Sequence, residues 1–387
     1  MTEGPRGAVG YFVHHQGRGH AERAAAIANR LIDCRPVTLF CARSDIFPAL
    51  DPRIERIAIP SLFEAEGTAP PRLDAMPTPD TLHCAPVGWP TITRAVAAIT
   101  AWFDDAAPAL FVTDVSAELG QLARIASVPH VAVLQHGDRA DPGHMASYAA
   151  AAGLLAPYHA DLEQPERPRW MQAKTHYAAG VGVDMTALPT REAARARLSL
   201  SQDADIVLVL AGGGGTGTPT APLTLGARDD AGAQWFTIGT IASEWHETPP
   251  GNLRHMGWVD NPQDWIAAAD RIVSSCGNTT VQMVCAAGKP WIVVPEWRYF
   301  DEQLCKADAL ARAGVAAVAP HWPAHAGRWR ALWDEARAIV PERQRAMVHD
   351  DAAERAARWL DHLATDLWAG AGVGRRDRQA SEGQVTE

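Results

Sequence analysis

The 387-residue chain has no stretch approaching twenty uninterrupted apolar residues, so no membrane-spanning helix is expected. Its opening, MTEGPRGAVGYFVHH, lacks the basic-then-apolar order of a secretory signal. Cysteine is scarce. The six present (Cys34, Cys41, Cys84, Cys276, Cys285, Cys305) show no paired metal spacing, and they read as reduced residues of a cytoplasmic protein. Lysine is nearly missing, since almost all basic residues are arginine; this reads as codon bias and not as a physical signal. Positive charge is in deficit as well. A net charge of -10 argues against a nucleic-acid surface. What the chain does have is 47% apolar residues, ample for sizeable cores, and a length comfortable for two domains.

The most informative stretch runs from Met256 to Ala307. Arg271-Ile272-Val273 is short and β-branched and reads as the end of a buried strand. It enters Ser274-Ser275-Cys276-Gly277-Asn278-Thr279-Thr280, all small or hydrogen-bonding, where Asn278 or Thr279 is a candidate helix cap. A helix over Thr280–Ala287 stops at Gly288-Lys289-Pro290. A second buried strand, Trp291–Val294, ends at Pro295. The small-residue turn sets bare N–H groups at a helix N-terminus, where dipole and free donors favour phosphate. The competing reading is an ordinary strand-to-helix turn of an α/β domain.

These residues resemble the donor-binding region of GT-B nucleotide-sugar glycosyltransferases, both the macrolide and plant-type enzymes and the peptidoglycan N-acetylglucosaminyltransferase. The matching positions, in order, are Gly257-Trp258-Val259, Gly277, Thr279-Thr280, Gly288-Lys289-Pro290, Pro295 and Glu302-Gln303. So many elements in one order are far more specific than a lone glycine motif. The resemblance implies an α/β fold of GT-B type, with two Rossmann-like domains facing across a cleft. It also implies that Glu302 and Gln303 contact the donor sugar and that Trp258 stacks on the nucleobase.

Earlier in the chain, the short strand Val9–Val13 leads into His14-His15-Gln16-Gly17-Arg18-Gly19-His20 and a helix from about Ala21 to Leu31. Three readings compete here. A dinucleotide-binding turn needs an acid near the end of the next strand, but Val37–Phe40 is followed by Cys41-Ala42-Arg43-Ser44. A metal site of His14, His15 and His20 is opposed by strand alternation, which points adjacent histidines to opposite faces. The resemblance gives the third: Gly17 and Gly19 lie in a cleft-facing turn, and His20 is a general base, its imidazole suited to taking an acceptor proton near neutral pH. Asp114 ends the strand Leu110–Val112. It is either the N-cap of the next helix or, as the resemblance implies, the partner that orients His20. Residues 60–90 are proline-rich and aperiodic and read as a long loop, placed by the resemblance on the acceptor side. A helix is expected over Met145–Ala156. Gln135-His136-Gly137 follows the strand Val131–Leu134 on the cleft side.

In the second half, the strand Ile206–Leu210 meets Gly212, Gly213, Gly214, Gly215 and Thr216, a run that permits close backbone approach of a ligand. It is no Walker loop, since no Lys-Ser/Thr follows. One position departs from the resembled enzymes. They carry a Glu five residues before the helix-ending glycine, on the donor ribose; here it is Met283. Gln282 is adjacent and is a candidate contact, but a helix turns about 100° per residue, so it is no clean substitute. Ser275 and Cys276 stand where the plant-type members have His-Gly. Either the ribose is held otherwise, or the donor lacks a 2′-hydroxyl, or activity has been lost.

The expectation is therefore an acceptor-binding domain over 1–185, a nucleotide-sugar-binding domain over 186–345, a returning helix over 346–368 and a disordered tail over 369–387. The implied function is inverting transfer of a sugar from a UDP- or dTDP-sugar to a hydroxyl or amine. The acceptor would be a small molecule or lipid-linked, with no obligatory metal, no nucleic-acid partner and room for peripheral membrane contact. The diphosphate would sit on the Gly212–Thr216 and Gly277–Thr280 turns. The alternatives are a sugar-nucleotide epimerase on the same fold and a degenerate relative that binds a ligand or partner without chemistry.

Overall fold

A computed structural model describes residues 7–184, 188–211, 215, 217–242 and 248–369. Seven strands form the first sheet: β1 (Val9–Phe12), β2 (Val37–Cys41), β3 (Glu55–Ala58), β4 (Leu110–Asp114), β5 (His130–Val133), β6 (Gly153–Ala156) and β7 (Thr175–Tyr177). All pair in parallel, in the order β3-β2-β1-β4-β5-β6-β7. The inner strands β1, β2, β4, β5 and β6 are buried along their whole length, as a parallel sheet covered on both faces requires. One face packs Phe12, Phe40 and Phe111 against the Pro90–Ala106 helix. The other packs Tyr11, Leu39 and Val112 against the Arg18–Leu31 helix, with the final helix Ala352–Leu367 lying on the same cluster.

The second sheet draws on β8 (Asp205–Leu210), β10 (Ala233–Ile238), β12 (Leu253–His255), β13 (Arg271–Ser274), β14 (Trp291–Val293) and β15 (Ala317–Val318), in the order β12-β10-β8-β13-β14-β15. A separate parallel pair joins β9 (Thr218–Pro219) to β11 (Ile241–Ala242). Trp235, Trp329 and Trp333 fill one face of this sheet. On its other face the apolar cluster is continuous with Leu134, Leu154 and Tyr158 of the first half. The two α/β units thus share buried surface and meet across a cleft.

Strand order reverses twice, between β1 and β4 and between β8 and β13. Open α/β sheets place ligands at such switch points, beyond the carboxyl ends of the strands. The turns singled out in the sequence are those that follow β1, β4, β8 and β13. The expected Met145–Ala156 helix divides into a helix over Pro142–Ala150 and the strand β6, because Gly153-Leu154-Leu155-Ala156 is apolar on both faces and carries no period. The expected domain boundary at 185–186 and the tail from residue 370 lie outside the described residues. No described helix is long and apolar enough to cross a membrane.

Candidate active site

The first switch point assembles a three-residue cluster. The chain leaves β1 and turns at Gly17, whose φ of +97° suits glycine. The helix opens at Arg18, three residues before the expected Ala21, so His20 lies in its first turn. Asp114 is the last residue of β4, which is beside β1 in register. Its successor Val115 has φ +69°, a strained conformation for a β-branched residue, of the kind that collects at functional turns. His20 Nδ1 lies 3.0 Å from Asp114 Oδ1. Arg23, one turn along the same helix, donates from Nη2 to both carboxylate oxygens at 2.8 and 2.7 Å. The side chain of Asp114 is 0% exposed, that of Arg23 4% and that of His20 18%, so only the imidazole reaches the cleft. Arg23 Nη2 is also 3.0 Å from His20 Nδ1. Nδ1 thus faces both a carboxylate oxygen and a guanidinium nitrogen, and the tautomer with its proton on Nδ1 donates to Asp114 and keeps Nε2 free as a base.

Adjacent His14 and His15 do not point to opposite faces, as alternation along a strand predicts. The strand ends at Phe12, and beyond it the two rings stack at 5.5 Å. His14 also stacks on Phe63 at 4.4 Å and sits 5.3 Å from His20; burial first, then the His20 charge, pushes its pKa down to about 3. His15 Nε2 is 3.1 Å from Glu64 Oε1. The 60–90 loop thus lines the approach to His20. His136 does not: it is buried and donates from Nε2 to Leu162 O at 2.7 Å.

At the second switch point the Asn278–Ala287 helix has Gly277 as its N-cap and no side-chain cap. The expected caps do other things. Asn278 Nδ2 donates to Pro157 O across the cleft at 3.1 Å, and Thr279 meets the first domain, where a methyl at Gly19 would stand 2.9 Å from Thr279 Oγ1. The first intrahelical bond runs from Val281 N to Gly277 O, so the N–H groups of Asn278, Thr279 and Thr280 have no acceptor within the helix. Of the glycine run, Gly212, Gly213, Gly214 and Thr216 lie outside the described residues. Gly215 is in place, and its bare Cα lies against the Glu296 carboxylate: a Cβ there would be 2.3 Å from Oε2.

Two glutamines make tertiary hydrogen bonds. Gln282 is buried and points its amide at Val181 O of the first half of the chain, 3.4 Å away. Gln303 is buried too. Its Oε1 accepts from Cys276 N at 3.2 Å and Glu296 N at 2.9 Å, which ties the turn after β13 to the loop after β14. Met283 packs against the apolar cluster, as a thioether should. Trp258 follows Gly257 at the carboxyl edge of the sheet with its side chain well exposed, and Val259 packs partly into the core. Glu302 reaches the cleft, 3.8 Å from both Arg139 and Lys306.

Arg139, Lys306 and Arg23 were not singled out in the sequence. Arg23 lies three residues after His20, and Lys306 three and four after Gln303 and Glu302, so helical spacing carried the signal. Arg139 lies over the Phe300 ring at 4.6 Å, and Phe300 O accepts from Asp138 N at 2.7 Å. Phe300 and Asp301 both hold positive φ, +62° and +51°, so the loop before Glu302 is bent into the first domain. Beneath it, His83, Asp141 and His144 bring ligand-type atoms within 4.8 Å of one another. Hydrogen bonding orders this group: Asp141 Oδ2 lies 2.5 Å from His144 Nδ1, and Arg139 Nη1 lies 3.3 Å from His144 Nε2.

No protein-family model and no curated protein sequence matches the chain. Solved structures do. The glycotransferase of kitacinnamycin superposes with a TM-score of 0.61 at 16% identity, over 93% of this chain and 99% of that one. MurG of Acinetobacter baumannii gives 0.59 at 14%, over 94% and 100%. UGT89C1 of Arabidopsis thaliana, complexed with UDP-L-rhamnose, gives 0.62 at 13%, over 93% and 100%. At these identities the likeness shows the fold, and the fold is GT-B.

Proposed function

We propose that the chain is a glycosyltransferase that moves a sugar from a nucleoside diphosphate donor to an acceptor hydroxyl or amine with inversion. The observation that carries this reading is the meeting of His20 with Asp114 at 3.0 Å opposite an uncapped helix N-terminus. The structural neighbours include enzymes described as glycosyltransferases, one of them with a UDP-sugar. In this reading His20 Nε2 removes the acceptor proton as the acceptor oxygen or nitrogen attacks the anomeric carbon. Asp114 holds the tautomer and stabilises the imidazolium that forms. The nucleoside diphosphate leaves from the opposite face, its charge met by the N–H groups of Asn278, Thr279 and Thr280 and the helix dipole, with no obligatory metal. Glu302 accepts from donor-sugar hydroxyls, and Trp258 is the platform for the base. The Phe63 and His14 rings line the acceptor side. UDP and dTDP are the favoured donor nucleotides. With Met283 packed against the apolar cluster where the resembled enzymes carry a Glu, a dTDP-sugar, which has no 2′-hydroxyl, needs no partner at that position.

Replacing His20 with Ala is expected to abolish transfer from a UDP- or dTDP-sugar while leaving nucleotide affinity within twofold, read by calorimetry. Unchanged turnover in H20A would reject the base assignment. A second reading, a GT-B protein that binds without chemistry, is favoured by Met283 and by the engaged Gln303. It predicts nucleotide or partner binding with no transfer to any acceptor.

A further inference from the structure

Lysine is used three times in this chain, at Lys174, Lys289 and Lys306. Lys174 shows what a satisfied ammonium looks like here: it donates to the carbonyls of Tyr148, Ala149 and Ala151 at 2.7, 3.4 and 2.7 Å. The buried Arg195 is likewise saturated, by four carbonyls and Asp270. Lys306 is different. Its side chain is 4% exposed, yet among the described residues it has one contact of hydrogen-bond length, Asn278 Oδ1 at 3.5 Å, and one loose ion pair, Glu302 at 3.8 Å. Three N–H donors have been taken out of water for a single long bond. Buried polar groups are normally paired, and an orphaned one calls for an explanation.

The surroundings give it. Asn278 is the first residue of the uncapped helix, so the ammonium stands at the dipole's positive end, where a cation gains nothing unless an anion joins it. Glu302 is also shared with Arg139 at 3.8 Å, so one carboxylate serves two cations. The nearby Arg23 has its charge taken up by Asp114. The turn itself, Ser275-Cys276-Gly277-Asn278, contributes no cation. Burial, with Arg23 and Arg139 adding to it and Glu302 opposing, holds the lysine below its ordinary pKa, as expected of a site short of negative charge.

We infer that Lys306 is an anion-binding residue of the donor site, gripping an anionic oxygen group of the donor against the first turn of the Asn278–Ala287 helix. That group is the diphosphate or a carboxylate on the transferred sugar. The inference rests on the donor-site reading above.

Calorimetric titration of wild type, K306M and K306R with UDP, UDP-glucose, UDP-glucuronate and inorganic pyrophosphate tests it. K306M is expected to lose about tenfold to a hundredfold in affinity, and K306R to keep most of it. Equal losses for all three nucleotides assign the diphosphate; a loss confined to UDP-glucuronate assigns the carboxylate. K306M binding every probe as tightly as wild type overturns the inference while the donor reading stands. Where no uridine nucleotide binds, dTDP is titrated in the same way: Lys306-dependent binding of pyrophosphate with neither UDP nor dTDP bound upholds the inference and overturns the donor reading, and a wild type that binds neither dTDP nor any of the four overturns both. Should K306M fail to fold, lysine-labelled wild type resolves the question, since K174R and K289R assign the three side-chain signals by elimination. The Lys306 signal must then shift on addition of the bound probe; a shift at neither the Lys306 amine nor its ε-carbon overturns the inference.

Discussion

At Asp114, burial and charge oppose each other. Burial alone would raise the carboxyl's pKa, but Arg23 and His20 outweigh it and hold the group well below the ordinary range. Arg23 is held in turn by the carboxylate. Such a pair is costly to break from one side, because the survivor is left charged in a medium that cannot solvate it. Replacing Arg23 with Met is therefore expected to destabilise the fold by about 3–5 kcal/mol, read from urea unfolding, and Asp114→Asn in the same chain to recover part of that loss. A loss under about 1 kcal/mol would mean that Asp114 finds another cation. His20 and Asp114 were legible in the sequence because each sits just past a recognisable strand, where ligands of α/β sheets lie. Arg23 was not, because a motif read as a pair leaves no reason to count three further residues. The orientation of Gln282 and Gln303 was not legible. Their type suited a sugar or a ribose, but tertiary hydrogen bonds to Val181, Cys276 and Glu296 set where each amide points, and no local pattern encodes those.

Among the elements, the Arg18–Leu31 helix does most for the site, since it presents both His20 and Arg23. It is held from behind by the last helix, whose Ala352, Ala356, Ala357, Leu360 and Ala364 share a cluster with Ala24, Ala28 and Leu31. Small residues on both surfaces let the two helices approach closely, and Arg35 pins the far end by donating to Asp361 at 2.6 Å. Leu360 is the large side chain that the last helix buries completely in that contact, at 0% exposed, with Trp359 and Leu363 partly buried beside it. Leu360→Ala is expected to cost about 2–5 kcal/mol and to speed hydrogen exchange first in residues 18–31, before the second sheet loosens. Uniform acceleration in both halves would show that the last helix does not act locally. The returning helix expected over 346–368 begins six residues later, at Ala352, after the short Pro341–Arg345 helix. Strands β7 and β15 left no trace, being three and two residues long and too short to show a period.

For the whole molecule, the ordered run of motifs made the GT-B fold readable, whereas the approach of Gly19 to Thr279 and the bend at Phe300 depend on how two separately encoded sheets dock. The fold buries imidazoles, most of them inside the first α/β unit, which gives the chain a characteristic response to acid. Burial pushes the pKa of His14 and His130 down to about 3 and that of His144 to about 4, and holds His136 well below its ordinary value. In the unfolded chain each returns to about 6.5. Between these limits the unfolded state binds more protons than the folded one, so stability rises with pH, and it is lost as pH falls from 6.5 toward 4. At pH 5 the loss is on the order of 2 kcal/mol for each of His14 and His130. Asp114 adds nothing in this window, because its folded and unfolded pKa values both lie below it; its contribution is lost only in stronger acid. Glu22, whose carboxyl is raised by burial, works the other way but only near its own titration. Urea midpoints measured from pH 7.5 to 4.5 should therefore fall steeply below 6.5, well above the range where carboxylates titrate. His130→Gln should flatten that slope. Midpoints that stay level down to pH 5 would mean that these rings take up protons inside the folded protein, which would contradict the burial assigned to them.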